Sequence, residues 1–166
     1  MAGMNAAIDI NRPAEAVYRF FLDLERSIVR TDPTVESVVK TTEGPLGAGT
    51  TFHIRQPVMG KVREQTTRVI AVDPNRRIDM EAAFGPVRPR FTLSFEPTTG
   101  GTRVTFRGDS RPVGPFRLVP FLMDRIGQRN WDRRLRLMKA ALEADAAGTS
   151  AGDRRETSPN AGEPSS

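Results

Sequence analysis

The stretch Arg129-Asn130-Trp131-Asp132-Arg133-Arg134-Leu135-Arg136-Leu137-Met138-Lys139-Ala140-Ala141-Leu142-Glu143 decides the fold. Trp131, Leu135, Met138 and Leu142 recur at i, i+4, i+7 and i+11, which places them on one side of an α-helix. Leu118, Leu122 and Ile126 extend that stripe upstream. The helix is therefore read from about Phe116 to Asp145, with Pro120 near its start or at a break. Before it, from about Val35 to Arg107, the chain is a series of short alternating segments. A helix stripe is buried against a sheet only if the sheet face bends to receive it. A curved antiparallel sheet holding one long helix tends to enclose a hollow. Function then turns on what occupies that hollow.

Working outward, Ala6 to Ile10 alternates as a first strand. Asn11 is positioned to cap the helix that follows, with Pro13 in its first turn and Val17, Phe20, Phe21 and Leu24 as its apolar stripe. Asp32-Pro33 ends a second short helix. Strands are predicted over Val35–Thr42, Thr50–Gln56, Lys61–Val72, Arg77–Phe84, Arg88–Glu96 and Thr102–Arg107. The turns between them carry Gly44 to Gly49, Pro57 to Gly60, Asp73-Pro74-Asn75, Gly85-Pro86 and Gly100-Gly101. From Ala147 onward the chain holds no apolar residue larger than alanine. Residues 147–166 are therefore expected to be a disordered tail behind a domain spanning 1–146.

Composition narrows the class. The chain has 166 residues, 37% hydrophobic and 27% charged, as expected of one globular domain. No apolar run approaches the roughly 18 residues that span a bilayer. The opening residues Met1 to Asn5 lack the basic and apolar regions of a signal peptide, so a cytoplasmic location is expected. Without cysteine there are no disulfides, thiol nucleophiles or thiolate metal sites. The net charge is +5 and the cations are mostly arginine. Their densest group, Arg125, Arg129, Arg133, Arg134 and Arg136, is read as mostly a solvated helix face.

The order strand, two short helices, six strands and long C-terminal helix resembles the helix-grip fold of the START-like superfamily, in particular the polyketide cyclase/dehydratase-like SRPBCC proteins. Three segments carry the resemblance. Ile10-Asn11-Arg12-Pro13-Ala14-Glu15-Ala16-Val17-Tyr18 is similar to the family's first strand running into a proline-anchored helix. Gly44-Pro45-Leu46-Gly47-Ala48-Gly49-Thr50-Thr51-Phe52 is similar to its glycine turn, and Arg129 to Glu143 to the end of its last helix. The resemblance covers about Asn5 to Ala144. It implies an α+β fold: a curved antiparallel sheet of about seven strands wrapped around the C-terminal helix. The family holds lipid carriers, hormone receptors and aromatic cyclases. It offers no shared catalytic motif to carry over.

The residues themselves exclude several chemistries. No Gly-Lys-Ser/Thr follows Gly44 to Gly49 and no helix opens there, so this is a strand-connecting turn and no phosphate loop. His53 is the single histidine. It cannot build a multi-histidine metal site, and it faces outward if its neighbour Phe52 faces in. Asp79 and Glu81 alternate with Ile78, Met80 and Ala82 and are read as outward. On the long strand, either Arg63, Gln65 and Thr67 or Glu64, Thr66 and Arg68 line the concave side. No metal or cofactor is expected.

The aromatic residues are the better guide, because small-molecule sites are apolar pockets with few polar anchors. The candidate pocket is Phe20, Phe52, Ile54, Met80, Phe84, Phe91, Phe106, Phe121, Met123 and Gly127. Gly127 is read as free volume over the sheet. Val113 to Met123 is read as a mouth that gates the pocket. The function expected is binding of a hydrophobic or aromatic small molecule, lipid- or polyketide-like. The alternatives are a cyclase/dehydratase-type enzyme acting on such a ligand, and a membrane-, protein- or RNA-binding module using the basic last helix. No nucleic-acid partner is expected, and any membrane contact is expected to be transient.

Overall fold

Alternation of apolar and polar residues builds most of the molecule. The computed structural model describes residues 3–58, 60–85, 87–109 and 119–156, with side chains of the last helix from 124 to 148. The strands are β1 (Met4–Ile10), β2 (Ser37–Lys40), β3 (Thr51–Val58), β4 (Lys61–Asp73), β5 (Arg77–Ala83), β6 (Arg90–Thr98) and β7 (Gly101–Asp109). They form one antiparallel sheet in the order β1-β7-β6-β5-β4-β3-β2. The short helices α1 (Ala14–Leu22) and α2 (Leu24–Thr31) follow β1, and the long helix α3 (Val119–Glu156) follows β7.

One sheet face is buried. Ala6, Phe52, Ile54, Val69, Ile78, Met80, Leu93, Phe95, Val104 and Phe106 pack there against Leu135, Met138 and Leu142 of α3. At one end of this core, Tyr18 and Phe21 of α1 meet Phe95 edge-on, with ring centroids 5.6 and 5.4 Å apart. Val69 is followed by a register shift against β5, so β4 bends there. The alternating pattern thus yields the curved seven-stranded sheet gripping α3 that the sequence predicts.

Several local expectations are corrected. Pro13, not Asn11, precedes the first turn of α1, and no side chain caps that helix. The Asn11 amide instead donates to Glu143 of α3. Asp23 separates the two short helices and accepts a bond from the Arg26 amide. Ile126 does not continue the apolar stripe; it is exposed, because the stripe passes through Gly127 and Trp131. α3 continues to Glu156, over part of the predicted tail. The lack of apolar residues beyond Asp145 argued against packing. It did not bar alanine, arginine and glutamate from extending a helix already nucleated.

Candidate functional site

The buried face of α3 carries a charge. Arg134 lies three residues after Trp131 and one before Leu135, so helical geometry turns it toward the sheet. Its side chain is 9% exposed, and that of its partner Asp32, at the C-terminal end of α2, is 4% exposed. Nη2 of Arg134 donates to Asp32 at 3.0 Å and to Oε1 of Gln56 on β3 at 3.2 Å. The guanidinium also lies 5.1 Å from the Trp131 ring centroid, within cation–π range. Nε of Arg134 is buried and, among the described residues, has no hydrogen-bond partner.

Burial, the largest influence on Asp32, raises its carboxyl. Hydrogen bonds from Thr34 and Arg134, with the arginine's charge, outweigh burial and hold the group below its ordinary value of 3.8. Burial pulls the Arg134 guanidinium downward while Asp32 opposes the shift. The pair is therefore ionised at neutral pH.

Beside this pair, β4 presents Gln65, Thr67 and Val69 inward, which settles which face of the long strand lines the concave side. Gln56 donates to Gln65 at 2.8 Å, and Gln65 to Thr67 at 3.2 Å. On the other side of Arg134 the Trp131 ring stacks on Phe106, with centroids 3.8 Å apart and planes 16° apart. Phe91 lies 5.4 Å from Phe106 and 6.3 Å from Trp131. An aromatic platform and a polar cluster thus share one inward surface, joined at Trp131 and Arg134.

Of the residues expected to form the pocket, Phe52, Ile54, Met80 and Phe106 are buried in the core, and Phe91 is half-buried beside Trp131. Phe20 is half-buried on α1, 6.1 Å from Phe21. Phe84 is half-buried past the end of β5, in a bridge with Val87. The side chains of Phe121 and Met123, and the mouth read at Val113 to Met123, lie outside the described residues apart from the backbone of α3. Gly127 is corrected: a Cβ there would stand 2.3 Å from Sδ of Met4, so the missing side chain makes room for a methionine and leaves no free volume.

His53 faces outward, 3.5 Å from Glu64, as its alternation with Phe52 implies. Asp79 and Glu81 also lie on the outer face, paired with Arg77 and Arg90. Arg125, Arg129, Arg133 and Arg136 are exposed; Arg134, counted among the same cluster, is the exception. The signal was present in the spacing. Positions 131, 134, 135, 138 and 142 form one helical stripe, and Arg134 is a polar residue within it. Asp124, a full two turns before Trp131, is buried in the same way.

A groove of about 350 Å³ lies elsewhere, between β1, the β6–β7 turn and α3. Its Arg103 is bonded to Asp9 and its Lys139 to the Asp9 carbonyl, so its charges are satisfied within the fold. Among the described residues, no group of three or more His, Asp or Glu is placed to hold a metal ion. None of the helices is long and apolar enough to cross a membrane, again among those residues.

The architecture recurs among solved structures. TTHA0849 from Thermus thermophilus is 25% identical, with a TM-score of 0.72 over 86% of this chain and 98% of that one. The ZhuI aromatase/cyclase from Streptomyces sp. R1128 is 18% identical, with a TM-score of 0.68 over 85% and 93%. A START superfamily protein from Mycobacterium smegmatis is 12% identical, with a TM-score of 0.71 over 86% and 97%. No curated protein sequence matches the chain. The model of the family described as polyketide cyclase/dehydrase and lipid transport matches residues 1–143, and this chain belongs to that family.

Proposed function

We propose that this protein binds a hydrophobic or aromatic small molecule, lipid- or polyketide-like, between the sheet and α3, with residues 1–146 as the binding unit. The observation that carries the reading is the joined surface of Phe91, Phe106 and Trp131 with a buried guanidinium that keeps an N–H unbonded among the described residues. Small-molecule sites combine apolar walls with a few placed polar groups in this way. Phe20, Phe52, Ile54, Met80 and Phe84 extend the apolar wall, and the family's description names lipid transport beside cyclase chemistry. A second reading, an enzyme of the cyclase/dehydratase kind, is favoured by the buried Asp32–Arg134 pair. Such a pair suits holding a folded substrate and stabilising charge on it.

Trp131 is the single tryptophan and lies in the platform, so its emission reports directly on the proposed site. Titration with the neutral apolar probe phenylnaphthylamine is expected to quench Trp131 by energy transfer, saturably. Native mass spectrometry of protein purified from its own host is expected to show a small-molecule adduct. Absence of both overturns the reading. An adduct chemically altered on incubation favours the enzyme.

A further inference from the structure

The hydrogen bonds around Arg134 run in one direction. A guanidinium donates and cannot accept. Its bond to Oε1 of Gln56 therefore fixes the Gln56 amide with oxygen toward the arginine and nitrogen toward Gln65. Gln65 is fixed in turn, oxygen toward Gln56 and nitrogen toward the Thr67 hydroxyl. Both amide oxygens are thereby engaged. Among the described residues the atom of this cluster left with no partner is a donor, the Nε–H of Arg134, and each amide and the Thr67 hydroxyl keeps a further hydrogen to donate. The carboxylate in the cluster, Asp32, is occupied by Arg134 and Thr34. Further along the same side of β4, past Gln65, come Arg63 and Lys61, both exposed and cationic.

A buried guanidinium N–H with no partner among the described residues, beside a cationic approach, suits an acceptor. A buried donor without one is destabilising until an oxygen reaches it, and bonds from a charged donor to an anion are the stronger kind. We propose that Arg134, Gln56, Gln65 and Thr67 recognise an anionic oxygen head group, of the carboxylate or sulfonate class, on the apolar ligand, whose body lies against Trp131, Phe106 and Phe91. This rests on the apolar-ligand reading above and adds the chemistry of the ligand's polar end.

Two probes with the same naphthalene body separate the proposals: anilinonaphthalene sulfonate, which carries an anion, and phenylnaphthylamine, which does not. The wild-type protein is expected to bind both. The double variant Asp32→Asn/Arg134→Gln removes one charge of each sign and keeps the site's balance. It is expected to lose the sulfonate probe by about tenfold or more, the weight of a charged hydrogen bond, and to keep the neutral probe within about twofold. Gln65→Met leaves the ion pair intact and is expected to weaken the sulfonate several-fold, again sparing the neutral probe. Thermal unfolding of each variant reports whether it folds, and Gln65→Met carries the test if the double variant does not. Sulfonate affinity unchanged in the folded variants, or both probes lost in parallel, overturns the anionic head group. Failure of the wild type to bind the neutral probe, together with no small-molecule adduct on protein from its own host, overturns the apolar-ligand reading itself.

Discussion

Met4 stands where Gly127 would carry a side chain, and the two residues constrain each other. The Met4 side chain is buried at the start of β1, and its sulfur lies 2.3 Å from the position of a Gly127 Cβ. Gly127→Leu is therefore expected to overpack the helix–sheet contact and destabilise by about 1–3 kcal/mol, measured by denaturant unfolding. Since Met4 is flexible, Met4→Ala in the same chain is expected to relieve part of that loss, and purely additive effects would show that the two residues do not compete. The Asp32–Arg134 pair behaves differently. Removing either partner alone is expected to destabilise by about 3–5 kcal/mol, because a buried charge is left behind, whereas Asp32→Asn with Arg134→Met loses less than either single change. The pH dependence has a definite sign. The folded carboxyl of Asp32 lies below 3.8, so its stabilisation is complete above that value and is lost as pH falls through the folded value. Asp32→Asn should flatten the acid limb of stability below pH 3.8; an unchanged limb would mean that Asp32 is unpaired.

Elements divide into those that alternation reveals and those that it does not. β5, β6 and β7 were legible because Ile78, Met80 and Ala82, then Leu93 and Phe95, then Val104 and Phe106 alternate with polar residues on a half-buried sheet. α3 was legible through Leu135, Met138 and Leu142. The polar half of the site was not, because an arginine among arginines reads as solvent-facing until helical phase is followed residue by residue. Gln65 and Thr67 were ambiguous for a related reason: β4 is polar on both faces over Lys61 to Arg68, so alternation alone did not choose the inner one. Trp131 links the legible and hidden halves. Trp131→Ala is expected to cost about 3 kcal/mol, the low end for a large aromatic because the ring is only half-buried, and also to weaken probe binding. The turn between β6 and β7 is tested by Gly101→Ala. At φ 150° its new Cβ would stand 2.1 Å from the Ile10 carbonyl oxygen, a backbone atom that cannot rotate away. A loss of about 1–3 kcal/mol is expected in thermal or denaturant unfolding.

At the scale of the whole molecule, the question is how an open sheet ends without exposing its edges. β1 and β2 are the outer strands, and each would present unpaired N–H and C=O groups. The helices cover them with side chains. Gln128 of α3 accepts from the Asn5 N–H at 2.8 Å and donates to the Asn5 carbonyl at 2.7 Å, so one amide stands in for a neighbouring strand. Lys139 donates to the Asp9 carbonyl at 2.8 Å, and Arg12 at the end of β1 reaches back to the Leu142 carbonyl. On the opposite edge, Glu25 of α2 accepts from the Lys40 N–H at 2.7 Å. Arg30 of α2 grips Asp145 of α3 through a bidentate pair at 3.0 and 2.7 Å, tying the two covering helices together. This polar lacing, together with the apolar stripe, fixes where α3 lies across the sheet, and so where Trp131 and Arg134 point. Gln128→Ala should remove both bonds to Asn5 while leaving the core intact. The expected loss is about 1–3 kcal/mol, at about 0.5–1.5 kcal/mol for each bond. The sharper readout is amide hydrogen exchange. The Asn5 N–H should lose its protection in Gln128→Ala, while the buried core strand amides, such as that of Phe106, keep theirs apart from the global decrease. An Asn5 amide that stays protected would mean that β1 is covered by something other than α3.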